Sequence, residues 1–173
     1  MSTEMLRNLI RDVPDFPKPG IMFKDITPLL RDPKGLDASV MMLAEPFRDS
    51  GVTQVAGIES RGFIFASCVA RILGAGFIPI RKPGKLPWTK RSHEYELEYG
   101  TDKIEIHDDA LSSNDRVLVI DDVLATGGTL AAAVALVRGL DANLIGAATV
   151  IELSFLDGRR KLQDVNFHSI LAY

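Results

Sequence analysis

The chain reads as an α/β domain built on a central, mostly parallel sheet flanked by helices. Three observations lead there. Val117–Ile120 is a continuous β-branched and aliphatic run, which suits a strand buried on both faces. Further apolar strands, Val55–Ile58 and Phe77–Ile80, alternate along the chain with apolar helical stretches. A length of 173 residues, 46% hydrophobic and 25% charged, is that of one ordinary globular domain covering residues 1–173.

Each element has its own signal. Met5, Leu6, Leu9 and Ile10 recur at helical spacing, predicting a short helix to about Val13, broken near Pro14 and Pro17. Phe16–Gly20 is a rigid turn, because proline fixes φ and Gly20 permits positive φ. Ile21–Thr27 follows as a short extended or irregular segment. Asp32 is placed as a helix N-cap with Pro33 at the first helical position. Leu36, Val40, Leu43, Ala44 and Phe47 then form a core-facing stripe, with Pro46 forcing an early end or a kink.

Val55–Ile58 is the first central strand, leading through Glu59–Arg61 into an apolar helix from about Phe63 to Leu73. After the strand Phe77–Ile80 comes Arg81–Lys85. Residues 86–100 then turn polar and lose any helical stripe. Tyr95, Leu97 and Tyr99 alternate with Glu94, Glu96 and Glu98, and Ile104 and Ile106 with Lys103 and Glu105, predicting a flexible loop that leads into a β-hairpin arm. Asp108–Asp115 is a connector. The run Val117–Ile120 ends in Asp121 and Asp122, followed by a small-residue loop and a helix over Leu130–Leu140. Leu144–Ile151 is another buried strand and Phe167–Leu171 an edge strand, with a loop bearing Leu156 and Gly158 between them. In such sheets ligands bind beyond the carboxyl ends of the strands. That places Glu59–Arg61, Arg81–Lys85, Asp121–Thr129 and Leu153–Leu156 on one edge.

Several function classes drop out. A net charge of −3 does not suit a general nucleic-acid surface. Cys68 is the single cysteine and reads as a core residue rather than a nucleophile. The N-terminal stretch lacks a signal peptide's apolar core and no run is long enough to span a membrane, so a cytoplasmic protein is the expectation. There is no P-loop signature and no G-x-G-x-x-G after a strand.

The segment from Arg116 to Thr129 carries the chemistry. Ala125, Thr126, Gly127, Gly128 and Thr129 stand before a helix, where backbone amides, two hydroxyls and the helix dipole converge on a phosphate. Asp121 and Asp122, one loop away, repel a phosphate but suit a ribose diol or a metal. Together they describe a cradle for ribose 5-phosphate.

That segment resembles the phosphoribosyl-pyrophosphate (PRPP) motif of the type I phosphoribosyltransferases. Phe16–Leu30, Gly57–Phe63, Arg81–Pro87 and Leu97–Gly100 narrow the resemblance to the adenine-specific family and extend it over nearly the whole chain. It implies the type I fold, with a small base-binding hood from about 1–32 and 153–162 and a flexible lid and arm at about 83–107. It also implies the reaction of adenine with PRPP to give AMP and pyrophosphate, purine salvage, Mg2+ held mainly by PRPP or pyrophosphate and water with no direct protein ligand, and a homodimer with Arg81–Lys85 near the partner. No nucleic-acid or membrane partner is implied.

The resemblance also assigns roles by position. Asp121 and Asp122 meet the ribose hydroxyls, and Ala125–Thr129 the 5′-phosphate. Glu59, Ser60, Arg61, Arg81 and Lys85 serve the pyrophosphate, with a cis peptide at Glu59–Ser60. Phe23 and Leu156 sandwich adenine, while Met22 and Lys24 read its edge through their backbones. Glu98 is the catalytic base, Arg61 and Lys85 stabilise the departing charge, and Tyr99 belongs to the lid. Position 83 is proline where some relatives carry a cation. On the residues alone, Lys90 and Arg91 could reach pyrophosphate. Another purine as the base and a non-catalytic purine-sensing regulator stay open as alternatives.

Overall fold

The computed structural model of the protein describes residues 2–97 and 100–173. Helix α1 (Thr3–Arg7) is capped by Ser2, whose hydroxyl accepts from the Met5 amide at 3.3 Å. It stops well short of Val13. Arg11–Val13 (β1) instead pairs antiparallel with Phe23–Asp25 (β2), with Val13 opposite Phe23. The helical spacing of Met5 to Ile10 gave no sign of this, because a three-residue strand exists only through its partner. Between the two strands the Phe16–Pro17 bond is cis and Gly20 takes φ +86°, forming the expected turn.

A second departure is helix α2 (Thr27–Arg31), which starts at Thr27–Pro28. Helix α3 (Pro33–Ala44) begins as expected, with Asp32 Oδ1 accepting from the Gly35 amide at 2.7 Å. Its α-helical part ends at Ala44, and Pro46 lies in a 3-10 turn over Glu45–Phe47. Val40, Leu43, Ala44 and Phe47 are buried.

Strand β3 (Gln54–Ile58) leads into α4 (Gly62–Leu73), and strand β4 (Gly76–Ile80) follows. The arm is a regular antiparallel hairpin of β5 (Lys90–Leu97) and β6 (Gly100–His107). Its first strand begins earlier than the Tyr95/Leu97 alternation implied. Lys90–Glu94 are exposed or nearly so, and only pairing with 103–107 makes them a strand. Strand β7 (Arg116–Leu124), helix α5 (Gly128–Gly139), strand β8 (Asn143–Glu152) and strand β9 (Phe167–Ala172) complete the fold.

The main sheet has the order β4-β3-β7-β8-β9, all parallel, with β9 at an edge as expected. Both faces are covered. Val117 and Val119 point into one core with Leu130, Leu136 and the hairpin's Ile104 and Ile106. Leu118 and Ile120 point into the other with Leu43, Phe65 and Val69 of α3 and α4. Such two-sided burial explains the unbroken apolar runs. No helix among the described residues is long and apolar enough to cross a membrane.

The chain builds leftward from β3 to β4 and rightward from β7 to β8, so the order reverses between β3 and β7. The crevice beyond their carboxyl ends is the place such sheets keep for a ligand.

Candidate active site

The loops after β3, β4, β7 and β8 all leave the same edge of the sheet, bringing together the four polar segments singled out in the sequence. Glu59–Ser60 is cis, as the resemblance implied. Glu59 anchors the next loop: its two carboxylate oxygens accept from Arg81 Nε at 3.1 Å and Nη2 at 3.2 Å, and one also accepts from the Lys82 amide at 3.0 Å. Burial alone would raise the Glu59 carboxyl, but Arg81 and the Lys82 amide outweigh it and hold it below the usual glutamate value. Arg81 also donates through Nη1 to the Lys85 carbonyl at 3.3 Å, fixing the course of the chain to Lys85, which is exposed. Arg81 therefore spends three donors inside the protein.

Across the switch point, Arg61 Nη2 lies 2.7 Å from Asp122 Oδ2. The same guanidinium sits 5.1 Å from the centre of the Phe23 ring. Phe23 in turn meets Phe16 edge to face at 5.1 Å. Arg61 thus joins the carboxylate pair to the aromatic wall of the N-terminal segment.

Asp121 and Asp122 do not follow the strand; they lie within it. β7 runs on to Leu124, with Asp121 opposite Thr149 and Val123 opposite Ile151. Strand pairing removes their freedom. The Asp122 amide donates to Asp121 Oδ1 at 2.9 Å. Asp122 is 5% exposed. Burial, and then the charge of Asp122, push the Asp121 carboxyl well above its ordinary value. Burial also raises Asp122, against the opposing pull of Arg61. Gly62 makes room for this, since a Cβ there would lie 2.8 Å from Asp121 Oδ1.

The turn from β7 to α5 is shorter than expected. Gly127 is the N-cap of α5, at φ +80°, and no side chain caps the helix. Gly128 and Thr129 already belong to the first helical turn, ahead of the start expected at Leu130. Beside Asp121, residues 123–130 enclose a cavity of about 130 Å³. An uncapped helix start facing a small cavity suits a phosphate, which needs the amides that a Ser or Thr cap would occupy.

Of the residues expected to meet the base, Met22 and Leu156 are 45% and 39% exposed, and Phe23 and Lys24 are half-buried in β2. Leu156 lies in a 3-10 turn, Ser154–Leu156, beyond β8. Lys24 Nζ is 2.6 Å from Asp12 Oδ1 and 4.0 Å from the centre of the Tyr173 ring. Glu98 and Tyr99 lie outside the described residues.

Most of the chain takes part in the comparison with known proteins. Residues 27–170 match the phosphoribosyl transferase domain. The adenine phosphoribosyltransferase of Acaryochloris marina is 54% identical over 168 residues, 97% of this chain and 99% of that protein. The chain belongs to the adenine phosphoribosyltransferase family. A crystal structure of the family from Thermoanaerobacter pseudethanolicus superposes with a TM-score of 0.96 at 47% identity, covering 99% of this chain and 100% of that one. The Saccharomyces cerevisiae family member, solved with an iminoaltritol bisphosphate and adenine, gives 0.92 at 39% identity, covering 98% of each chain.

Within this family frame, several residues near the site had no sequence signal. Gly158 presses on the Ala125–Gly127 turn, and Lys161 Nζ lies 3.8 Å from where a Cβ on Gly128 would stand. Glu152 holds that segment: Arg159 donates to its oxygens at 2.9 and 2.6 Å, and Ser169 at 2.7 Å. Tyr173 links the N-terminal segment to the turn after β8, its ring under Lys24 and its carbonyl accepting from the Ser154 amide at 2.8 Å. Arg91 goes elsewhere, donating to the Gly139 carbonyl at the far end of α5.

Proposed function

We propose that this protein transfers the 5-phosphoribosyl group of PRPP to N9 of adenine, forming AMP and releasing pyrophosphate. The carrying observation is Arg61, whose guanidinium touches Asp122 on one side and Phe23 on the other. The diol-binding pair and the base slot therefore flank one cation, which is where C1 of the ribose must lie between base and pyrophosphate. The uncapped start of α5 supports seating of the 5′-phosphate at Ala125–Thr129, with Lys161 as a further nearby cation.

In this reading pyrophosphate leaves C1 as adenine N9 arrives, through a transition state with oxocarbenium character. Asp121 and Asp122 accept from the ribose hydroxyls and hold the ring. Ser60, Arg61, Arg81 and Lys85 face the departing pyrophosphate, whose growing negative charge is best met by fixed donors and cations. Glu59 contributes by orienting Arg81. Phe23 and Leu156 form the walls of the base slot, and the backbones of Met22 and Lys24 read the base edge. Adenine must lose a proton as it attacks, and Glu98 takes it at N7. Closure of the arm bearing Glu98 and Tyr99 excludes water that would otherwise hydrolyse PRPP.

Mg2+ fits this site as a passenger on the substrate. Asp122 is engaged by Arg61 and one Asp121 oxygen by a backbone amide, and among the described residues no three His, Cys, Asp or Glu side chains gather to hold a metal. The ion would be held by pyrophosphate oxygens and water, where it neutralises leaving-group charge. A homodimer is part of the proposal; Ile64 on α4 and Phe77 on the edge strand β4 are each 38% exposed and offer it apolar area.

The test incubates the protein with PRPP, Mg2+ and radiolabelled adenine, hypoxanthine or guanine. AMP should form and the other nucleotides should not. Turnover of none of the three, or of hypoxanthine or guanine in preference, overturns the reading.

A further inference from the structure

Lys82 stands inside the Arg81–Lys85 segment, yet its ammonium is held by the hairpin. It donates to Tyr95 Oη at 3.1 Å and forms a short ion pair with Asp102 Oδ2. Tyr95 Oη donates to the same oxygen at 3.0 Å, closing a triangle. Tyr95 and Asp102 are direct partners in the register of β5 and β6, so one ammonium grips both strands of the arm. The second Asp102 oxygen accepts from the Lys103 amide at 2.7 Å. Tyr95 is only 8% exposed, and it packs against the start of α5, where its Cδ2 lies 3.1 Å from a Cβ position on Gly128.

The other end of Lys82 reaches the pyrophosphate loop. Its amide donates to Glu59 Oε2, the oxygen that also receives Arg81 Nε. A single residue thus joins, through its backbone, the carboxylate before Ser60 and, through its side chain, the strand that runs in sequence from Tyr95 and Leu97 into Glu98. Burial opposes charge on both partners. Even so, the bonds from Lys82, the Lys103 amide and Tyr95 hold the Asp102 carboxyl below its usual value, and Asp102 and Tyr95 raise Lys82. Both groups stay charged across neutral pH.

The geometry points to Lys82 as a positioning residue that couples the pyrophosphate loop to the hairpin arm. It sets the arm, and with it the general base, on the Glu59–Ser60 loop, and it is not a pyrophosphate ligand. This rests on the phosphoribosyl-transfer reading above.

The experiment compares wild type with Lys82→Met, Asp102→Asn and the double variant. It measures kcat, the KM values for PRPP and adenine, and hydrogen exchange of the 90–97 and 100–107 amides. Each single variant should lose about ten-fold or more in kcat, the scale of misplacing a reacting group, while the KM for PRPP changes little. The double variant should be no worse than the poorer single one, because both remove one shared interaction. Arm amides should exchange faster while those of α4 do not. Wild-type kcat in either single variant, losses that multiply in the double, or an effect confined to the KM for PRPP overturns the inference. A wild-type protein inactive on adenine defeats the functional reading instead. Exchange then decides alone: faster arm exchange in both variants supports the coupling, and unchanged exchange overturns it.

Discussion

Gly127 and Gly158 are pressed backbone to backbone. A Cβ on Gly127 would stand 2.4 Å from the Gly158 carbonyl oxygen, and one on Gly158 would stand 2.8 Å from the Gly127 nitrogen and 2.2 Å from the Ala125 carbonyl oxygen. The 158–162 turn therefore walls the 125–128 turn, where the 5′-phosphate is proposed to sit, and carries Lys161 to it. Neither glycine can be replaced without moving the other segment.

Gly158→Ala tests that wall. The methyl group meets backbone rather than a yielding side chain, so the loop must shift; overpacking of this kind costs ~1–3 kcal/mol. The KM for PRPP is expected to rise about ten-fold or more, as a displaced anion site loses roughly one charge-assisted hydrogen bond, while the KM for adenine stays near wild type. Initial rates against each substrate, with a thermal melt as the stability measure, decide it. An unchanged KM for PRPP would mean the wall has no bearing on phosphate binding.

Asp121→Asn should separate stability from activity. Burial and the neighbouring Asp122 raise the folded-state pKa of Asp121. A raised carboxyl contributes most to stability below its unfolded value, and that contribution is lost as pH rises through the folded value. At neutral pH, above its unfolded value, the buried carboxyl is thus a burden that asparagine removes. The variant should melt a few degrees higher than wild type near pH 7, with the gain vanishing once the pH falls below the ordinary aspartate range. Turnover should drop about 10- to 100-fold, the worth of a hydrogen bond to a charged acceptor. Melting curves across pH together with kcat/KM for PRPP check both halves; a variant less stable at pH 7 contradicts the sign.

Asp32→Ala addresses the scaffold away from the chemistry. Asp32 Oδ1 takes the Gly35 amide at 2.7 Å as the N-cap of α3. Losing such a cap costs ~1 kcal/mol, equivalent to a fall of about 2–4 °C in Tm for a chain of this size. Activity at 25 °C should be unaffected. A melt that does not move would show that water replaces the carboxylate without loss.

Glu98→Ala tests the base. General acid–base groups contribute about 100- to 10,000-fold, so turnover should fall by that scale while PRPP still binds, as read by isothermal titration. Near-normal turnover would falsify the assignment of Glu98.

Much of the architecture is legible in the sequence, for a physical reason. Strands buried on both faces need unbroken apolar runs, so Val55–Ile58 and Val117–Ile120 announce themselves. Asp32–Pro33 marks a helix start because only certain residues satisfy free amides there. The elements missed are those defined by a distant partner. β1 exists because Val13 meets Phe23, and the first half of β5 because Lys90–Glu94 pair with 103–107. Asp121 and Asp122 look like the end of a strand, yet pairing with Thr149–Glu152 carries the strand past them.

By itself the sequence determined the parallel α/β sheet, the edge where its loops gather and the family. Those depend on local spacing and on residue types that one chemistry requires. The tertiary structure decided which charges are already engaged. Arg81 is held by Glu59, Arg91 by the end of α5, Lys82 by the hairpin, and Arg61 bridges Asp122 and Phe23. It also decided that Gly158 closes the loop at Gly127. A lysine or arginine has the same charge wherever it stands in a sequence, but its ion pair acts over a few ångströms, and only the fold sets those distances.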